Sequence, residues 1–188
     1  LGAQPGAGTL GGVIACNLAG PRRVSAGAAR DHILGVKGVS GRGEAFKSGG
    51  RVVKNVTGYD MSKLMTGAYG TLGALTEITL KVLPRPQKAW TVLLMGLDDA
   101  TAIKALAQAA GSSHEVSGLA HLPEDAAARS GVSYVQSAGA AVTAIRVEGP
   151  GPSVEHRVAS LRNELSAFGK LEELHSHNSA GLWQEIRD

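Results

Sequence analysis

The sequence predicts an α+β chain with two domains, and two observations carry that prediction. Residues 1–88 hold 12 Lys/Arg, 4 Asp/Glu and 17 Gly, whereas residues 89–188 hold 7, 12 and 9. The second part also alternates strand-like and helix-like patterns in the order β-α-β-β-α-β, which is typical of a ferredoxin-like fold with an antiparallel sheet. The stiff segment Pro84–Pro86 lies where the composition changes. We therefore predict domains at residues 1–86 and 87–188.

The first domain is predicted to be mainly β. "HILGVKGVS" reads as a strand, "GRGEAFKSGGRVVKNVTG" as a hairpin with glycine turns at 41–43 and 49–50, and "ALTEITLKVLP" as a further strand. Asp60 is the predicted N-cap of a short helix that runs to Thr66, and Gly67 is its predicted stop. The apolar face expected for this helix consists of Met61, Leu64 and Met65.

The second domain is predicted to place two helices against one sheet. The predicted strands are "WTVLLMGL", "EVSGLAHL", "AAVTAIRVEG" and "LEELHS", and a last helix follows them. Asp98 and Ser153 are the predicted N-caps of the two intervening helices. The residues expected to face inward are Ala102, Ile103, Leu106 and Ala110 on the first helix, and Val154, Val158, Leu161, Leu165 and Phe168 on the second, which Gly169 should end.

Residues Gly6–Gly11 spell "GAGTLG", which matches the G-x-G-x-x-G fingerprint of nicotinamide-dinucleotide sites. That fingerprint follows a buried strand and opens a helix. Here only "LGAQP" precedes it, and Gly20-Pro21 ends any helix after about two turns. Asp31, in the position of the expected ribose-binding acid, precedes an apolar stretch instead of ending one. The context therefore argues against a Rossmann site.

The composition argues against several other classes of protein. The single cysteine, Cys16, allows no intramolecular disulfide, and the sequence shows neither a signal peptide nor a membrane-spanning run. We therefore expect a reducing, cytoplasmic setting and interpret Cys16 as a small buried hydrophobic side chain, with a reactive thiol as the alternative. The six histidines form no metal-ligand set, so we predict no metal site. The basic first part is compatible with nucleic acid, but its basic residues are dispersed and lack an aromatic stacking platform.

Two glycine-rich segments with threonine, "GTLGG" (8–12) and "GAYGTLG" (67–73), admit two interpretations. Amides without neighbouring Cβ atoms can approach phosphate oxygens or ring carbonyls closely. The same glycines could equally form turns between strands. The residues alone leave both interpretations open.

Three stretches together resemble the flavin domain of the vanillyl-alcohol oxidase/PCMH-type superfamily: "GTLGGVIACNLAGPRR", "GGRVVKNVTGYD" and "LMTGAYGTLGALTEITLKVLPRP". The D-lactate and glycolate dehydrogenase branch carries a T-x-G-G loop, then N-x-x-G-Y-D, then E-G-T-L-G-[IV]-[IV]-T-E. Within that branch the sequence is most similar to the FAD-binding subunits of bacterial glycolate oxidase, and it resembles one of the two more than the other. The resemblance implies an incomplete PCMH-type FAD-binding domain followed by a ferredoxin-like cap.

The resemblance implies FAD as the cofactor and assigns it contacts at two loops and one intervening segment. These implied contacts are Gly8, Thr9, Gly11, Gly12, Cys16, Asn17, Gly70, Thr71, Leu72, Gly73 and Leu75. Tyr69 stands where the family has an acid, and Ala74 replaces a branched residue. The resemblance also implies that the family's N-terminal subdomain and extreme C-terminus are missing from this sequence. We therefore expect the 188 residues alone to bind FAD weakly or not at all.

By resemblance, the complete assembly oxidises a small 2-hydroxy acid, glycolate, to glyoxylate with hydride transfer to flavin. The implied partners are a second flavin subunit and an iron–sulfur subunit, with no nucleic acid, and association with a membrane through that complex stays open. No catalytic residue is assigned. Lys54 and Tyr59 are candidates for such a role by side-chain chemistry alone. The alternatives are that Lys54 is solvated or paired and that Tyr59 packs over the start of the helix after Asp60. A non-catalytic assembly subunit and a nucleic-acid or regulatory module are the alternative functions.

Overall fold

The computed structural model describes residues 8–54 and 57–187. Gly6 of the "GAGTLG" match, and Asn55 and Val56 of the N-x-x-G-Y-D motif, lie outside these residues. In chain order the elements are α1 Leu10–Ala15, α2 Arg23–Ala26, α3 Ala29–His32, β1 Ile33–Ser40, β2 Ala45–Gly49, α4 Met61–Met65, β3 Gly73–Leu80, β4 Lys88–Met95, α5 Asp99–Ala110, β5 Val116–Leu122, α6 Glu124–Ala127, α7 Ser133–Gln136, β6 Val142–Gly149, α8 Gly151–Leu165, β7 Leu171–Leu174 and α9 Ser176–Arg187.

The chain forms two compact units. The first contains residues up to Gly20 and Gly27–Pro84, and the second contains Pro21–Ala26 together with the residues from Arg85 onward. The segment Pro21–Ala26, which the predicted domain range 1–86 includes, thus belongs to the second unit.

The first unit is built on an antiparallel sheet of three strands in the order β2-β1-β3. Its fully buried apolar residues are few because only short helices cover the sheet. Ile14 of α1, Ile33 and Val36 of β1 and Met65 of α4 form this small core. The helix predicted after Asp60 is present, but Leu64 is exposed and Ser62 is buried in its place. Ser62 turns inward because its hydroxyl donates to the Ser48 carbonyl at 3.4 Å.

The second unit has an antiparallel sheet in the order β5-β6-β4-β7, which is the ferredoxin-like topology. The predicted α+β class with an antiparallel sheet is therefore confirmed. Helices α5 and α8 cover one face, and their inward residues pack on Val92, Leu94 and Ile145. The other face is covered by α9 and the short helices α6 and α7, around Leu93 and Trp183.

Two details of the helices predicted in the second domain are wrong. On α5, Ile103 and Ala110 are exposed, and the buried stripe is instead Ala102, Ala105 and Ala109. Small side chains on this stripe allow the helix to approach its neighbours closely. Helix α8 begins at Gly151, two residues before Ser153, because Pro152 in its first turn needs no hydrogen-bond acceptor for a backbone amide.

Candidate functional site

The two glycine-rich loops of the first unit are joined through the backbone of α1. The amide of Gly67 donates to the Ile14 carbonyl at 3.0 Å, and the amide of Tyr69 donates to the Ala15 carbonyl at 2.9 Å. These bonds fix the beginning of the second loop against the end of the helix that follows the first loop. Residues of the two predicted contact segments are therefore brought together, although more than fifty positions separate them in the sequence.

The first loop ends in a capped helix. Gly8 is exposed, and Thr9 is the N-cap of α1, where its Oγ1 accepts from the amide of Gly12 at 3.0 Å. Gly11 and Gly12 both lie inside the helix, where glycine costs about 1 kcal/mol relative to alanine. A Cβ on Gly11 would have Thr9 Oγ1 as its nearest neighbour, at 3.8 Å, and one on Gly12 would lie 3.3 Å from the same atom.

Within the described residues, nothing therefore requires a glycine at position 11. An unobstructed helical backbone at that point leaves room for another molecule to approach it closely. This is the feature of the loop that fits a bound cofactor.

The segment Cys16–Asn17 ends α1 in a Schellman motif. Asn17 has a φ of 51°, the amide of Leu18 donates to the Val13 carbonyl at 3.0 Å, and that of Asn17 donates to the Ile14 carbonyl at 3.0 Å. The Asn17 side chain also accepts from the amide of Arg30 at 3.0 Å. Cys16 is half-buried with a free thiol. Asn17 thus has a clear role in fixing the path of the chain after the helix.

The second loop contains a tight turn at Ala68–Thr71. Tyr69 and Gly70 have φ values of 53° and 76°, and the amide of Thr71 donates to the Ala68 carbonyl at 2.9 Å, which is the pattern of a type I′ turn. The Thr71 hydroxyl donates to the same carbonyl at 2.6 Å. The hydroxyls of Thr9 and Thr71 therefore both form hydrogen bonds within their own loops.

Three further predicted contact positions follow this turn. Leu72 is exposed, whereas Leu75 packs against the core of the first unit. Gly73 pairs with Ser40, and a Cβ there would lie 2.6 Å from the Val39 carbonyl oxygen. Leu75 and Gly73 thus have structural explanations, whereas the described part of the chain offers none for Gly11.

Lys54 and Tyr59, the candidates by chemistry alone, are both exposed. Tyr59 is 92% exposed, so the interpretation that it packs over the helix start is wrong. Tyr59 lines a cleft of about 250 Å³ beside Ile33. Among the described residues that line this cleft, none is a predicted flavin-contact position.

Asp60 and His121 both have partners among the described residues. Asp60 caps α4 by accepting from the amide of Lys63 at 3.1 Å, as predicted. His121 lies 2.8 Å from Thr143 Oγ1 through Nδ1 and 3.2 Å from Asp99 Oδ1 through Nε2. Within residues 8–54 and 57–187, no cluster of His, Cys, Asp or Glu could hold a metal ion.

Sequence reasoning missed the carbonyls of Ile14 and Ala15 and the amide of Gly67, which join the two loops. These are backbone groups, so no side-chain type marks them in the sequence. None of the helices formed by the described residues has the length and hydropathy needed to cross a membrane.

Comparison with known proteins finds relatives among enzymes of 2-hydroxy acids. The chain is 57% identical over 79 residues to glycolate oxidase subunit GlcE of Escherichia coli K12. It is 38% identical over 87 residues to glycolate oxidase subunit GlcD of Bacillus subtilis 168 and 41% identical over 86 residues to D-lactate dehydrogenase of Anaerostipes hadrus. These matches cover 42%, 46% and 46% of this chain, but only 23%, 18% and 18% of the relatives.

The fold is also similar to solved structures. Alkyldihydroxyacetonephosphate synthase superposes with a TM-score of 0.70 at 22% identity, over 96% of this chain and 36% of the synthase chain. The structural similarity thus covers both units, whereas the sequence matches above cover less than half of the chain. No family model matches the sequence.

Proposed function

Since this chain carries the fold and the sequence features of the PCMH-type flavoprotein superfamily, we propose that it forms part of the flavin-binding portion of a 2-hydroxy-acid oxidoreductase. The observation that carries the proposal is the pair of joined glycine loops, with helical Gly11 open to close approach. The names of the relatives, two glycolate oxidase subunits and a D-lactate dehydrogenase, support the substrate class. Because the chain covers about a fifth of each of these relatives, the activity is proposed for the whole protein.

We propose FAD as the cofactor and glycolate as the substrate, with glyoxylate as the product. A bound flavin supplies the acceptor for the hydride that leaves the 2-hydroxy carbon while the hydroxyl proton leaves to a base. The proposed contacts are Gly8, Thr9, Gly11, Gly12, Cys16, Asn17, Gly70, Thr71, Leu72, Gly73 and Leu75. Among these, Gly8, Thr9, Gly12 and Gly70–Leu72 are exposed and Gly11 is half-buried, so these are the positions that remain available for binding.

The chain's own residues fix the conformation of the two loops that form this site. Thr9 fixes the first turn of α1, and the turn at Tyr69-Gly70 fixes the second loop. Because both loops are already fixed before the cofactor arrives, they lose less conformational entropy on binding it. The base that accepts the hydroxyl proton is not assigned to any residue of this chain, and the proposed partner subunits or other parts of the protein are its expected source.

A second function is a non-catalytic assembly subunit that keeps the flavin fold. The observation that favours it is that relatives of this chain include two differently named subunits of glycolate oxidase. In that case the loops would serve assembly, and changing them would leave no substrate-specific effect on the reaction.

The test is the visible absorbance of the intact protein, alone and with its partner subunits, before and after anaerobic addition of glycolate. We expect flavin absorbance that is bleached by glycolate, with D-lactate as the comparison substrate. Flavin that is present but not reduced by either acid, while the partner's flavin is reduced, would favour the assembly subunit. Absence of bound flavin in every preparation would refute the proposed function.

A further inference from the structure

Tyr69 of the first unit has a backbone conformation that a tyrosine rarely adopts. Its φ is 53°, and it occupies the first central position of the type I′ turn Ala68–Thr71. Glycine, asparagine and aspartate are favoured at that position, because bulkier side chains are strained in the left-handed region. The other described non-glycine residues with a positive φ are all polar: Asn17, Glu115 and Ser176. The turn therefore explains the φ value of Tyr69 but not the choice of a tyrosine.

The Tyr69 side chain obtains no compensating contact from the part of the chain that the structure describes. Tyr69 is 72% exposed. Within residues 8–54 and 57–187 its ring stacks on no other ring and on no cation, and its hydroxyl forms no hydrogen bond. Strained backbone persists where the surroundings or a function compensate for it. Packing among these residues does not compensate for the strain at Tyr69.

Tyr69 lies where the two glycine-rich loops are joined. Its amide donates to the Ala15 carbonyl at the end of α1 at 2.9 Å, so the turn is fixed beside the helix that the first loop begins. The next residue, Gly70, has no atom within 4 Å of the position of a Cβ. Tyr69 thus stands at an open turn on the proposed flavin-binding surface, and this arrangement lies entirely within the first unit.

Further exposed side chains on the same two segments are also apolar. Leu10 in the first turn of α1, Leu18 shortly after its end and Leu72 directly after the turn are all exposed. A single exposed leucine needs no explanation. Three of them with an exposed tyrosine on two joined loops match the apolar and aromatic lining that cofactor sites have. FAD offers planar aromatic rings, the isoalloxazine and the adenine, on which a tyrosine ring can stack.

We propose that the Tyr69 side chain stacks on an aromatic ring of the bound FAD. This inference rests on the proposed function and adds a side-chain contact to a loop in which backbone contacts are expected. The fixed turn holds Tyr69 in place before the cofactor binds, so less conformational entropy is lost on stacking. The backbone strain is present with and without FAD, whereas the stacking is present only in the complex. Replacing the ring should therefore affect stability and FAD affinity in opposite directions.

The test compares Tyr69→Asn, Tyr69→Phe and Leu64→Gln in the intact protein. Asparagine favours the turn and removes the ring, phenylalanine keeps a ring, and Leu64→Gln removes an exposed apolar side chain from α4 of the same unit. We expect Tyr69→Asn to raise the FAD dissociation constant about three- to tenfold. In the FAD-free protein the same variant should raise the urea midpoint by about 0.2 M. Tyr69→Phe should retain the affinity, and Leu64→Gln should leave it unchanged.

Flavin fluorescence at saturating FAD identifies the ring that Tyr69 contacts. A phenol in contact with an excited flavin quenches its fluorescence by electron transfer, whereas the ring of phenylalanine is not oxidised in this way. Brighter fluorescence in Tyr69→Phe therefore supports stacking on the isoalloxazine. Unchanged fluorescence, with affinity lost in Tyr69→Asn and retained in Tyr69→Phe, supports stacking on the adenine.

Three results would overturn the inference while FAD binding by the unmutated protein leaves the proposed function standing. The first is a fall in the urea midpoint of FAD-free Tyr69→Asn, which would show that the ring packs against another part of the protein. The second is an unchanged FAD affinity in Tyr69→Asn, and the third is an equal loss of affinity in Tyr69→Asn and Leu64→Gln. Failure of the unmutated protein to bind FAD would refute the proposed function and this inference together.

Discussion

Gly11 and Gly73 are both predicted flavin contacts, but their surroundings differ. Gly11 lies in α1 with no atom closer than 3.8 Å to the position of a Cβ, whereas a Cβ on Gly73 would lie 2.6 Å from the Val39 carbonyl. Gly73 also has a φ of 154°, which side chains rarely adopt. Gly73 is therefore explained by strand pairing, whereas no contact among the described residues requires a glycine at position 11.

We predict opposite effects of alanine at these two positions on the free energy of unfolding. Gly11→Ala should raise it by up to about 1 kcal/mol because alanine favours a helix, and it should weaken FAD binding in the intact protein. Gly73→Ala should lower it by about 2 kcal/mol because of backbone strain and the close carbonyl. Urea unfolding and FAD titration measure both effects. Unchanged FAD affinity in Gly11→Ala would contradict the proposed role of the first loop.

Asn17 supports a second prediction at the same scale, because its left-handed conformation ends α1. Asn17→Ala should lower the free energy of unfolding by about 1–2 kcal/mol, since alanine is strained in that conformation. Asn17→Gly relieves the strain and loses only the hydrogen bond from the Arg30 amide, so it should cost less. Urea unfolding of the two variants distinguishes them, and equal losses would show that the hydrogen bond, not the conformation, is important.

The caps of the helices show what local sequence can and cannot predict. Asp60 and Asp98 were identifiable because an acidic N-cap precedes an apolar helical pattern, and both accept from the amide three residues on. Ser153 has the same chemistry, but Pro152 moves the start of α8 to Gly151. Ile103 was wrongly predicted to face inward. The buried side of α5 consists of alanines, whose weak hydrophobicity makes that side hard to recognise in the sequence.

Asp98 should contribute to the dependence of stability on pH. The hydrogen bond from the Thr101 backbone amide, at 2.7 Å, lowers the pKa of Asp98 below its ordinary value of 3.8. A lowered pKa in the folded state gives stability that is present above the unfolded-state pKa and is lost as pH falls through the folded-state pKa.

We therefore expect the urea midpoint to fall less on acidification in Asp98→Asn, which retains a capping oxygen without a titrating carboxylate. Measurements between about pH 7 and about pH 3 cover the window in which Asp98 becomes protonated. Lys104→Gln is a control for the nearby positive charge, which makes a smaller contribution to the same pKa shift. If the urea midpoint falls by the same amount on acidification in Asp98→Asn and in the unmutated protein, this prediction is contradicted.

At the scale of the whole molecule, the order of elements predicted the fold better than it predicted the site. Six alternating elements define the ferredoxin-like sheet, because few topologies accommodate that order. The sequence did not predict α6 and α7, since helices of four residues show no periodicity. It predicted α9 as a last helix but not the face of the sheet that this helix covers. The contact of residues 14–15 with 67–69 was also not predictable, because it is formed by backbone groups far apart in the sequence.

The central claim is that the two joined glycine loops form one flavin-binding surface. The most direct measurement is hydrogen exchange of the intact protein with and without FAD, followed at peptides covering residues 9–13 and 68–73. We predict that FAD slows exchange in both peptides together, with the turn at Tyr69-Gly70 protected as strongly as the start of α1. Saturation with FAD that leaves both peptides unchanged and protects other segments would contradict the account.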